Sequence, residues 1–222
     1  MRGTALRAVL FDLDGTLIDS APDLAGAAND MRVARGLPEL PYARFRPMVG
    51  SGARGMVGRA FDVGPDDERF NALRDEFLQR YEARMTRETK VFAQVLPMLD
   101  ALDRHRLPWG IVTNKATRYS EPIVAALGLD RRAQVLVCGD TTPHAKPHPA
   151  PLLEAARRMG ITPAACAYVG DDQRDVQAGE AAGMVTVAVA WGYLGLGDAI
   201  ESWGATHVIQ SAHELLKRLD MA

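Results

Sequence analysis

Apolar residues fall into short, nearly unbroken runs, separated by longer stretches in which they recur every three or four positions. The runs cover 8–13, 109–113, 134–138, 165–169 and 185–190, with a weaker one at 206–209. Continuous apolar runs of this length predict strands covered on both faces. Helical periodicity occupies the intervals. "QVLPMLDALDRHR" carries Val95, Leu99 and Leu102 on one stripe. "TRYSEPIVAALG" ends on Gly128, and "PAPLLEAARRMG" opens on Pro and ends on Gly160, the usual asymmetry of helix ends. "QRDVQAGEAAG" and "SAHELLKRLD" complete the set, the latter with Ser211 and Glu214 spaced as a capping box. Strand and helix alternating at this spacing predict an α/β fold, a doubly wound parallel sheet. One segment breaks the rhythm. From 18 to 87 the pattern predicts helices only, so we expect a helical insert, with the α/β core formed by 1–17 and 88–222.

The first strand closes on "FDLDGTL". In extended chain Asp12 and Asp14 share a face while Leu13 points the other way. Two close carboxylates repel unless a cation or shared proton compensates. A hard cation fits, with Mg²⁺ the usual choice in phosphate chemistry. Gly15 and Thr16 permit a tight turn whose backbone N–H groups can hold a phosphate oxygen. Three further strand ends supply matching groups. "WGIVTNK" places Thr113 where its hydroxyl can donate to a phosphate oxygen, with Asn114 beside it as a substrate-binding candidate. "HAKPHP" places Lys146 just ahead of Pro147 and Pro149, which restrict the backbone. "YVGDDQRD" gathers Asp171, Asp172 and Asp175, readable as a cation site or as helix capping.

"DLDGT", "VTN", "KPHP" and "GDDQRD", in this order, resemble the four motifs of the haloacid dehalogenase superfamily, and the resemblance spans nearly the whole chain. It implies a Rossmann-like core with the helical insert as a small cap. Within the superfamily the chain resembles the phosphoglycolate phosphatase branch. "RVARGLP", "SGARGMV", "LRDEFLQRY" and "VAWGY" also resemble phosphatases acting on N-acetylmuramic acid 6-phosphate. A sugar-phosphate mutase is a further alternative with the same core and cap. The resemblance implies that Asp12 is the nucleophile, forming an aspartyl-phosphate, and that Asp14 is general acid and base. Mg²⁺ would be held by Asp12, the Asp14 backbone carbonyl and Asp171. Lys146 and Thr113 would stabilise the phosphoryl group, and Asp175 would support Lys146. Asp172 replaces the commoner Ser or Thr, and its role stays open between ligand and cap. Selection among leaving groups falls to the insert, where Arg54 in "VGSGARG" is the candidate substrate contact.

Composition narrows the partners. The 222 residues carry a net charge of −2, with no basic block to favour nucleic acid or an anionic membrane. The expected partner is a small phosphorylated metabolite, with the chain a monomer or weak homodimer. The N-terminus shows no apolar signal region, and Cys138 and Cys166 read as buried thiols, so a reducing cytoplasm is expected. The five histidines read as surface or capping residues.

Overall fold

A computed structural model describes residues 6–219 and 221. Six strands form one sheet: β1 (Ala8–Phe11), β4 (Trp109–Val112), β5 (Leu136–Val137), β6 (Cys166–Gly170), β7 (Val185–Val189) and β8 (His207–Ile209). The order is β5-β4-β1-β6-β7-β8, and every pairing is parallel. Side chains of β1 alternate between two apolar layers, as the pleat requires. Val9 and Phe11 join the layer containing Leu99 and Leu102 of α5 (Val95–Arg104), Ile123 of α6 (Thr117–Ala126) and Leu215 of α9 (Ala212–Arg218). Ala8 and Leu10 join the layer built by Leu152 and Ala155 of α7 (Ala150–Met159) and Ala178 of α8 (Gln173–Ala181). A sheet covered on both faces explains why its strands lack polar alternation. Cys138 and Cys166 are free and buried.

Between the first and second strands of this sheet the chain forms α1 (Ala21–Val33), α2 (Tyr42–Phe45), a 3₁₀ turn over Arg46–Ser51, α3 (Gly52–Phe61) and α4 (Phe70–Glu82). The reading of 18–87 as strandless needs one correction. β2 (Ile18–Asp19) pairs antiparallel with β3 (Lys90–Val91), so a two-residue ribbon joins the ends of this segment. Two residues are too few to show a period. The link is reinforced by Asp23, which is fully buried and accepts from the N–H groups of Glu88 and Thr89 and from the Thr89 hydroxyl at 2.8–3.0 Å.

The capping box expected at Ser211 does not form. Its hydroxyl donates to Glu214 at 3.4 Å, and Glu214 accepts instead from the Gln210 N–H. The reciprocal box lies at α8, where Asp172 accepts from the Arg174 N–H and Asp175 accepts from the Asp172 N–H. Carboxylates accept more strongly from helix N–H groups than a hydroxyl does, which favours the acidic pair.

Candidate active site

Chain direction reverses across β1: the chain first runs to β4 and β5 on one side, then to β6, β7 and β8 on the other. Ligands of open α/β sheets bind beyond the strand ends at such a switch point. The four loops that follow β1, β4, β5 and β6 meet there. Asp12 leaves β1 with its N–H still bonded to Val169 (2.9 Å). The turn that follows needs Gly15, whose φ is +88° and whose added Cβ would stand 2.2 Å from Asp171. Gly192 lies against the same carboxylate, where a Cβ would be 2.1 Å from the Asp171 Cβ. Two glycines therefore enclose Asp171, which is 3% exposed.

The buried lysine organises the centre. Lys146 Nζ lies 2.8 Å from Asp12, 2.7 Å from Asp175, 2.7 Å from the Tyr168 hydroxyl and 3.1 Å from the Val112 carbonyl. Burial opposes its charge, but the carboxylates of Asp12 and Asp175 outweigh that and raise it above the ordinary lysine range. Asp12 is pushed up to about 7, chiefly by burial and further by Asp175 and Asp14, with Lys146 opposing. Asp171 is raised well above the usual carboxylate range by burial, Asp12 and Asp175, against hydrogen bonds from the Tyr193 N–H (2.8 Å) and the Thr16 hydroxyl (2.8 Å). Lys146 brings one positive charge to three buried carboxylates, Asp12, Asp171 and Asp175, a deficit that a bound cation can offset. One oxygen each from Asp12, Asp171 and Asp175 can be chosen so that all lie within 4.8 Å of one another. An all-oxygen donor set of this kind fits Mg²⁺.

Asp14 points elsewhere. Its carboxylate receives Lys115 Nζ at 2.7 and 2.9 Å and the Ser20 hydroxyl. Its carboxylate stands outside the acidic cluster of Asp12, Asp171 and Asp175. Lys115 was not singled out from "VTNK", because a lysine after a strand end looks like any solvated charge. The signal available was its place next to Thr113 and Asn114. Thr113 is buried, and its oxygen accepts from the Lys115 N–H (3.1 Å), leaving its proton for an acceptor in the cavity.

Several expected substrate contacts are otherwise committed. The Asn114 amide is bonded at both ends to the Lys146 backbone, at 2.9 Å each, so it fixes the Lys146 loop. In the turn expected to offer backbone N–H groups to phosphate, the Gly15 N–H donates to the Ile18 carbonyl (2.9 Å), and the Thr16 hydroxyl donates to Asp171. Asp172 caps α8 and pairs with Arg174 at 2.7 Å, and it stands outside the acidic cluster. Arg54 is exposed on α3 and lines a surface depression with Met48 and Gly58, away from the Asp12 cavity. Its neighbours Gly52 and Ala53 line that cavity instead, since one helical residue turns the side chain by about 100°.

The cavity above Asp12 has a volume of about 240 Å³. Its floor is the polar cluster, and its walls include Leu24, Val49, Phe77, Leu78 and Tyr81 from the α1–α4 segment. Tyr81 stands 5.8 Å from Tyr119 and 5.1 Å from Lys115 Nζ, and burial pushes its hydroxyl up to about 12. Two arginines cross the seam between this segment and the sheet. Arg46 donates to the Trp191 carbonyl (3.0 Å), and Arg174 donates to the Gly50 carbonyl. Tyr193 also links the two parts: its hydroxyl accepts from the Ser20 and Ala21 N–H groups at 2.9 and 3.0 Å. His148 caps the start of α7 by accepting from the Ala150 N–H (3.1 Å).

The chain matches a haloacid dehalogenase-like hydrolase family model over residues 9–189. It is 42% identical over 217 residues to the N-acetylmuramic acid 6-phosphate phosphatase of Pseudomonas putida, covering 98% of this chain and 97% of that protein. It is 47% identical over 210 residues to the phosphoglycolate phosphatase of Xanthomonas campestris, covering 94% of each. The crystal structure of a predicted phosphoglycolate phosphatase from Haemophilus somnus superposes with a TM-score of 0.84 at 28% identity, covering 96% of this chain and 97% of that one.

Proposed function

This chain belongs to the haloacid dehalogenase-like hydrolase family and is a phosphoric monoester hydrolase, and from that premise we propose that Asp12 carries the phosphoryl group between two displacements. In the first, an Asp12 oxygen attacks phosphorus in line and the bond to the ester oxygen breaks. Asp14 gives that oxygen its proton. In the second, Asp14 takes a proton from the attacking water, the bond between Asp12 and phosphorus breaks, and inorganic phosphate leaves. Lys146 and the Thr113 hydroxyl hold phosphoryl oxygens as negative charge shifts onto them. Asp12, Asp171 and the Asp14 carbonyl would hold Mg²⁺, whose charge screens the carboxylate nucleophile from the phosphate dianion. Uncatalysed hydrolysis of such esters is slow enough that accelerations reach ~10²¹, so several charged groups must act together. The observation carrying this reading is the Lys146 ammonium shared between Asp12 and Asp175, with Asp171 alongside.

The 18–87 segment acts as the cap that shuts water out and selects the leaving group. 2-Phosphoglycolate is the first substrate reading, supported by the Xanthomonas relative. N-acetylmuramic acid 6-phosphate is the second, supported by the Pseudomonas relative and by the apolar and aromatic cavity walls. A two-carbon acid leaves such walls without contacts, whereas a pyranose ring can pack on them. The test is phosphate release, with and without Mg²⁺, from both compounds and from glucose 1-phosphate as a control for isomerisation. We expect Mg²⁺-dependent release, and kcat/KM ranks the two readings. No release from any phosphate monoester would overturn the proposal.

A further inference from the structure

A depression of about 560 Å³ opens on the α1–α4 segment, and five arginines line it: Arg32, Arg35, Arg44, Arg59 and Arg69. None of its lining residues lines the Asp12 cavity. One carboxylate, Asp62, shares the lining, and two more neutralise neighbours, Glu76 with Arg35 (2.5 Å) and Asp67 with Arg69 (2.7 Å). Five arginines against three carboxylates leave two positive charges. The imbalance is written in the sequence, where 32–59 holds six arginines and one acid, Glu39.

One of the uncompensated charges, Arg32, is held in place. Arg32 donates from Nε to the Pro38 carbonyl (2.8 Å) and from a terminal nitrogen to the Ala60 carbonyl. Neutral carbonyls fix the guanidinium without cancelling its charge. Arg35 lies 5.2 Å over the Phe61 ring. Among the described residues neither Arg44 nor Arg59 forms an ion pair, and the Arg59 Nε is buried with no hydrogen-bond partner. Buried donors without acceptors are uncommon and costly, and Arg59 is among the residues lining the depression. Arginine forks match the oxygen spacing of phosphoryl groups.

From this geometry we infer a second anion site, for a small ligand bearing two anionic groups of which at least one is phosphoryl. A ligand there would tie α1, α2, the end of α3 and the start of α4 together. The opposite end of α3 lines the Asp12 cavity, so binding would stiffen the helix that forms part of the cavity wall.

The probe is inorganic pyrophosphate, titrated calorimetrically into the intact protein without divalent cation, beside Arg44→Ala and Arg59→Met. Arg44 is exposed, so its truncation does not threaten the fold. We expect one binding event that weakens by about tenfold in each variant, and by at least about tenfold when orthophosphate replaces pyrophosphate. Basal kcat and KM of Arg44→Ala should match the parent. Pyrophosphate affinity unchanged in both variants would overturn the inference.

Discussion

Lys115→Met separates the ion pair at Asp14 from everything else in the cavity. Methionine keeps the length of the side chain and removes the charge. Lys115 Nζ sits 2.7 and 2.9 Å from the two Asp14 oxygens, and the side chains are 10% and 16% exposed. Unit charges about 3 Å apart at an effective dielectric near 20 attract by roughly 5–6 kcal/mol before desolvation is subtracted. Removing one partner of such a buried pair costs about 3–5 kcal/mol, because the other charge is left uncompensated. Asp14 faces the cavity and can recruit water, so the low end applies, near ~3 kcal/mol. For a chain of this size that lowers Tm by roughly 6–12 °C. Catalysis should suffer separately. A positioned acid–base group contributes about 10²–10⁴-fold, and a carboxylate freed from its anchor forfeits part of it. We expect kcat to fall by about 10²-fold with KM changed less than about threefold, and Lys115→Arg to recover much of the loss. The assays are steady-state phosphate release and a thermal melt. A lowered Tm with kcat within about twofold of the parent would refute the reasoning and leave Lys115 a structural ion pair.

Other perturbations probe the supporting contacts. Asn114→Ala removes both bonds that fix the Lys146 backbone and should lower kcat by about tenfold with little change in Tm, measured by the same assays. Arg174→Ala cuts the contact to the Gly50 carbonyl and should raise KM by roughly threefold to tenfold; stability should change by at most about 1 kcal/mol, since the Asp172–Arg174 pair is part-exposed. Asp23→Ala strands three donors of Glu88 and Thr89, while Arg84 keeps Asp30 and Glu88, and should cost about 3–5 kcal/mol by urea titration.

The sheet was legible because its central strands β1, β4, β6 and β7 are buried on both faces, which writes itself as an unbroken apolar run, whereas the edge strand β8 is half-buried and its run is weaker. The acidic cluster was legible because Asp12 and Asp171 directly follow buried strands, Asp175 lies in the first turn of the helix after β6, and Lys146 precedes Pro147 and Pro149. The rest depended on distances the sequence does not carry. Lys115 differs from a surface lysine only through Asp14, which is 101 positions away. Asn114 was read as a ligand contact because its amide can serve substrate or protein equally well, and the fold spends it on the Lys146 backbone; of the turn amides read as phosphate donors, the Gly15 N–H is spent on the Ile18 carbonyl. Arg54 was chosen for its charge in a glycine-rich stretch, but helical phase turned Ala53 to the cavity and Arg54 to solvent. The β2–β3 ribbon escaped notice because a two-residue strand has no period.

Covalent capture of the phosphoryl group is tested most directly by the stereochemical course at phosphorus. The preferred ester, made chiral at phosphorus with oxygen isotopes or sulfur, is turned over and the configuration of the released phosphate is determined. Two in-line displacements, the first by Asp12 and the second by water, predict net retention. Net inversion would mean that water attacks the ester in a single step and that Asp12 never carries the phosphoryl group.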